Sequence, residues 1–236
     1  MGTGADQRTG GKMNRTKNNK TLIILLIVGA VLVVTAVAGY FFLDDAMYRI
    51  GRMYDYGNIV EQDYTKAAKW YLKAAERGNV KANEGLGFLY INGYGVEQDY
   101  AKAFECYEKV AEQGYDVGEY MLGYIYQNGY GVEQDYAKAF DYFYKAAEGG
   151  LPDAEYTVGL FYNNGFGVEL DHAKAAEWYL KAAEHGDAAA QNDLGILYEE
   201  GLGVDKDPEK AKYWFNKAAE QGLEQAEDNL EELSEK

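Results

Sequence analysis

The chain has 236 residues and a formal net charge of −16, and the charge is unevenly spread. Residues 1–43 hold five Lys/Arg against one Asp, a balance of +4, while the rest holds 18 Lys/Arg against 38 Asp/Glu, a balance of −20. A body this acidic repels phosphate backbones and argues against nucleic acid as a partner, and a single cysteine, Cys106, excludes an intrachain disulfide.

A basic tail (1–20) comes first. Residues 21–43, TLIILLIVGAVLVVTAVAGYFFL, carry no charge. As a helix rising 1.5 Å per residue this run is about 34 Å long, enough to cross a hydrocarbon core of about 30 Å. Five Lys/Arg precede it, whereas Arg49 and Arg52 follow it beside Asp44, Asp45 and Asp55. The positive-inside rule then predicts a single-pass membrane protein with its N-terminus in the cytoplasm and its acidic body across the bilayer. The competing reading is a cleaved signal peptide, because Ala36-Val37-Ala38 fits the small-x-small pattern. The apolar run continues past that point through Gly39–Leu43, which favours an uncleaved anchor.

Beyond the anchor a period of 36 residues governs the sequence: NGYGVEQDYAKAF stands at Asn92–Phe104 and again at Asn128–Phe140. Gly51, Gly87, Gly123, Gly159 and Gly195 share one register; so do Tyr54, Tyr90, Tyr126, Tyr162 and Tyr198. Asp63 with its four equivalents, Lys66 with its four and Gly78 with its four follow the same spacing. Five copies without an insertion make a repeat protein, with units 46–81, 82–117, 118–153, 154–189 and 190–225 and a capping helix that begins near 223 and ends in 226–236.

Each unit reads as two helices. The second, such as DHAKAAEWYLKAAEHG (Asp171–Gly186), opens on an Asp N-cap and closes on a Gly. Pro208 and Pro152 fall at the first helical position, where a missing N–H costs nothing. The intervening NGYGV has two glycines suited to positive φ. The glycine in mid-first-helix costs about 1 kcal/mol against Ala, so it implies a close approach to the partner helix. The slot Trp70, Cys106, Tyr142, Trp178 and Trp214 is read as filling space between units, with Cys106 a small apolar core residue and not a nucleophile.

The pattern LGxxYxxGxGVxxDxxKAxxWYxKAAExG resembles the Sel-one-like repeat family, relatives of the tetratricopeptide repeats, and Val158–Gly186 matches it almost throughout. The resemblance covers about residues 46–226. It implies an all-α, right-handed α-solenoid of helix-turn-helix repeats and a scaffold or adaptor role. Unit one departs from the pattern, with Ile59 where the others have Gly95, Gly131, Gly167 and Gly203.

No catalytic, metal or cofactor set emerges. His172 and His185 occupy varying positions and are read as solvated, the Gly-x-Gly pairs join helices and not a strand to a helix, and the carboxylates follow the repeat. Surface is what a solenoid offers. On the first helices the face i+2, i+6, i+9 varies from unit to unit, and in the middle units it carries Phe88, Tyr120, Tyr124, Gln127, Tyr156 and Leu160. These residues are the candidate partner-binding set, for a protein or peptide of basic or aromatic character, with glycan as the alternative ligand. The same rings could instead pack against the next unit, since tyrosine serves both uses. A non-catalytic, membrane-anchored scaffold is therefore the expected function; an envelope hydrolase and an inert spacer are the alternatives.

Overall fold

The computed structural model describes residues 43–235. The apolar segment 21–43, apart from Leu43, and the Ala36–Ala38 triplet lie outside the described residues. Within them the chain forms eleven helices and no strand. These are α1 (43–56), α2 (Tyr64–Ala75), α3 (Val80–Asn92), α4 (Tyr100–Glu112), α5 (Asp116–Asn128), α6 (Tyr136–Glu148), α7 (Pro152–Asn164), α8 (His172–Glu184), α9 (Ala188–Glu200), α10 (Pro208–Ala219) and α11 (Glu224–Glu235). Among the described residues no helix is long and apolar enough to cross a membrane. The most extensive packing pairs α3 with α4, α5 with α6, α7 with α8 and α9 with α10; each second helix then lies against the next first helix. The result is an all-helical solenoid.

The repeated Tyr, Asp and Lys build one joint. In the second unit the Asp99 amide donates to the Tyr90 carbonyl at 3.0 Å, holding the end of α3 to the start of α4. Asp99 Oδ1 accepts from the Lys102 amide at 3.0 Å, the N-cap expected from the sequence. Its other oxygen meets Lys102 Nζ at 2.8 Å, and that ammonium lies 5.4 Å from the centre of the Tyr90 ring. The same set recurs from Tyr54, Asp63 and Lys66 to Tyr198, Asp207 and Lys210. Hydrogen bonds from the lysine side chain first, then its amide, hold the Asp63 and Asp99 carboxyls below the usual range; at Asp135 and Asp171 the lysine amide leads.

The mid-helix glycines make room for a ring. A Cβ at Gly87 would stand 2.6 Å from Tyr107, and the equivalent partners are Tyr71 for Gly51, Phe143 for Gly123, Tyr179 for Gly159 and Phe215 for Gly195. The approach is thus ring to backbone, 20 residues along the chain, rather than backbone to backbone. These five aromatics are almost fully buried and form the centre of each unit. They sit one residue after the slot that begins with Trp70, so the main filling ring is the second of the pair. Trp70 itself is half-buried under Lys73.

The second glycine of each turn has a different task. Gly167 has φ +66°, and a Cβ there would lie 2.2 Å from the Tyr136 carbonyl carbon, at the start of the preceding unit's second helix. Gly95 and Gly203 press on Tyr64 and His172 in the same way. Ile59 occupies this position in unit one, where no earlier repeat lies among the described residues, and it is exposed with negative φ. Its departure from the pattern therefore relaxes a constraint that only later units have.

Candidate functional site

First helices α1, α3 and α5 border a cleft of about 410 Å³. Tyr48, Arg52 and Tyr56 come from α1, Lys81, Glu84 and Phe88 from α3, and Val117 and Met121 from α5, with Tyr71 and Tyr107 beneath. Arg52 sits 5.9 Å from the Tyr48 ring centre and 4.9 Å from that of Tyr56. The Tyr71 hydroxyl donates to Asp55 Oδ2 at 2.8 Å, and burial pushes its phenol upward from the ordinary value. The rings are thus braced from below while Tyr56 and Phe88 stay exposed, at 62% and 46%.

The six candidate residues separate. Phe88 lines this cleft and meets Tyr94 edge-on, with centroids 5.9 Å apart. Tyr124, the equivalent of Phe88 in the next unit, is exposed and meets Tyr130 edge-on at 5.8 Å. Tyr120 and Tyr156 are half-buried, tilted over the core rings Phe143 at 5.2 Å and Tyr179 at 5.7 Å. Leu160 is half-buried against the core of α6–α9. The Gln127 carbonyl accepts from Gln134 Nε2 at 2.7 Å, which ties it to its own turn. Ile91 and Asn192, which fall on the i+9 and i+2 positions of their first helices, are buried. Tyr48 and Arg52 fall on the i+2 and i+6 positions of unit one, whereas the cleft also takes in Tyr56, Lys81 and Met121 of the first helices, off that series, and Tyr64 of α2.

Tyr156 belongs to a polar cluster that the repeat does not supply elsewhere. Its hydroxyl donates to Asp193 Oδ2 at 3.2 Å, Asn192 Nδ2 donates to Asp193 Oδ1 at 3.3 Å, and Asn229 of α11 donates to Asn192 Oδ1 at 2.8 Å. Burial raises the Asp193 carboxyl above the usual aspartate range. The fully buried Tyr179 hydroxyl next to it has no hydrogen-bond partner among the described residues.

His185 is exposed, as the sequence suggested, with its side chain 52% accessible, whereas His172 is half-buried. His172 Nδ1 lies 2.8 Å from Asn163 Oδ1, and His185 Nδ1 lies 2.7 Å from Glu155 Oε2, a carboxylate only 4% exposed. Both are joint-forming contacts between neighbouring helices. Cys106 is buried, and burial pushes its thiol up to about 11, away from thiolate reactivity. Among the described residues no group of three or more His, Cys, Asp or Glu is placed to hold a metal ion.

The Sel1 repeat model matches residues 44–79, 80–115, 117–151, 152–187 and 188–223. The chain belongs to the Sel1 repeat family. Sel1 repeat proteins with solved structures are similar to it. A Sel1 repeat protein of Oxalobacter formigenes is 40% identical over 78% of this chain and 75% of that one, with a TM-score of 0.73. A protective antigen of uropathogenic Escherichia coli, displaying an SLR fold, is 38% identical with a TM-score of 0.76. That match covers 79% of this chain but 40% of the antigen, so this chain spans less than half of that protein's length. An immunity protein of Pseudomonas aeruginosa is 28% identical over 78% of this chain and 67% of its own, with a TM-score of 0.53. No curated protein matches the chain. Sel1 repeat proteins are in general interaction scaffolds, which agrees with a non-catalytic role.

Proposed function

We propose that this Sel1 repeat protein is a membrane-tethered scaffold that holds a segment of a protein partner against its first helices. The observation that carries this is the aromatic cleft between α1, α3 and α5, in which Tyr48, Tyr56 and Phe88 offer apolar faces beside Arg52, Lys81 and Glu84. Aromatic residues with a charged border form the kind of patch on which binding energy concentrates. Of the six residues expected to bind, Phe88 and Tyr124 are accessible and remain in the proposed set. Tyr120, Tyr156, Leu160 and Gln127 would act by shaping the surface beneath the partner. The acidic body favours a cationic partner and speeds its encounter, an effect that added salt weakens. The tether is the apolar segment 21–43, with the repeats across the bilayer from the basic tail.

The test is photo-crosslinking from position 84, which lines the same cleft, in intact cells, repeated with Phe88→Ala and with Tyr124→Ala. The captured protein should be lost from both variants while thermal melting stays unchanged. Capture that survives both substitutions, or recovery of glycan alone, defeats the reading. For the tether, external protease should digest the repeats in intact cells; digestion only after the cytoplasm is opened would reverse the orientation.

A further inference from the structure

A second site lies on the side of the solenoid built by the second helices. At their seventh residue stand Trp70, Tyr142, Trp178 and Trp214, and only the second unit departs, with Cys106. In the third unit the Tyr142 ring stacks on Tyr126, with centroids 5.6 Å apart and planes 10° from parallel. Lys145 Nζ lies 5.0 Å from the Tyr142 centroid; Lys73 and Lys181 take the same place over Trp70 and Trp178 at 4.5 and 3.5 Å.

In the second unit both partners of that ring are present without it. Tyr90 is the equivalent of Tyr126, and Lys109 is the equivalent of Lys145. Cys106 is too short to reach between them. A cleft of about 310 Å³ opens there between α2, α3 and α4, walled by Leu72, Ala75, Leu86, Tyr90, Cys106 and Lys109. Corresponding clefts in the next two units, of about 220 and 530 Å³, contain Tyr142 and Trp178 as lining and are each bordered by three glutamates. The cleft at Cys106 keeps two glutamates, Glu76 and Glu105, at its border and has the uncharged Asn83 where the others have Glu119 and Glu155. Its lysine has no ring beneath it and no carboxylate within ion-pair distance among the described residues.

We propose that this cleft receives one aromatic side chain, tryptophan or tyrosine, presented by a protein partner. The chain's own third unit supplies the template for the bound state. The incoming ring stacks on Tyr90 as Tyr142 stacks on Tyr126, and the Lys109 ammonium lies over its π-face, where charge and ring quadrupole are complementary. The third and fourth units fill the equivalent position with a single ring, Tyr142 or Trp178, under a lysine, and that precedent favours one aromatic side chain as the occupant. The site shares no lining residue with the first-helix cleft, so either can fail without the other.

The experiment titrates the full chain with N-acetyltryptophanamide, N-acetyltyrosinamide and N-acetylleucinamide, following the backbone amide resonances of Tyr90, Cys106 and Lys109. The two aromatic amides should give saturable shifts, with the leucine amide at least tenfold weaker. Cys106→Trp fills the slot from within and should abolish the shifts; Cys106→Tyr, copying Tyr142, guards against a tryptophan that does not fit. Lys109→Gln should weaken aromatic binding several-fold with folding intact. No saturable shift, an equal response to the leucine amide, or undiminished binding in folded Cys106→Tyr would overturn the proposal.

Discussion

A Cβ at Gly159 would stand 2.5 Å from the Tyr179 ring, closer than real Cβ atoms approach anything, and the ring is fully buried with nowhere to move. Gly159→Val should therefore destabilise by about 1–3 kcal/mol through overpacking, lowering the melting temperature by several degrees in a thermal scan. An unchanged melt would mean that the ring does not depend on glycine. Titration acts at the same scale with two opposite signs. The capping carboxyls of Asp63, Asp99, Asp135 and Asp171 are depressed, so their contribution is present above the unfolded aspartate value of about 3.9 and is lost as pH falls through their folded values. Asp193 is raised by burial, with Tyr156, Asn192, Asp187 and Tyr179 around it, so the native state holds its proton more tightly than the unfolded chain. That contribution is present at low pH and is lost as pH rises through the raised value. Asp193→Asn should accordingly raise the melting temperature at pH 7 more than at pH 4. An equal effect at both pH values would deny the burial cost.

At the scale of the element, the helix-turn-helix unit depends on which neighbour its turn must touch. Gly167 combines positive φ with contact at the start of the preceding unit's second helix, while Ile59 has neither. Gly167→Ala should thus lower the melting temperature clearly, as both the left-handed backbone and the contact penalise a side chain. Ile59→Gly should change it little or lower it slightly through added backbone freedom. Matching losses at both positions would show the turn glycines to be repeated for chain flexibility alone. Aromatic stacking across these turns, Tyr64 on Tyr94 at 5.0 Å and Tyr100 on Tyr130 at 4.7 Å, locks each turn to the unit before it.

Across the whole molecule stability is a chain of nearest-neighbour terms, since the main contacts join helices adjacent in sequence. Helix α11 is the last described link of that chain: Ala226 is fully buried, Asn229 donates to Asn192, and the helix is rich in charged residues. Deleting residues 224–236 should speed amide exchange in α9 and α10 while leaving α3 and α4 protected, measured by hydrogen exchange. Uniform acceleration along the solenoid would refute the nearest-neighbour picture. The same one-dimensional logic lets surface vary without cost to the core, which is how a cleft at α1, α3 and α5 can coexist with strictly repeated joints.

The sequence by itself determined the repeat, its period, the two helices of each unit, the Asp caps, the proline positions and the turn glycines. All of these are local choices of backbone conformation, and a 36-residue period repeats the helix pair and its Asp cap five times. It also announced a close approach at the mid-helix glycine. Only the tertiary structure decided what makes that approach, because Trp70 and Tyr71 are adjacent aromatics and a one-residue step along a helix turns the side chain by about 100°. The binding face was legible in part for the same reason. Phe88 and Tyr120 sit on similar faces of their helices, yet one stays exposed and the other lies over Phe143. Helical periodicity fixes direction from the axis, whereas burial depends on how far the neighbouring unit reaches, a distance no single helix encodes.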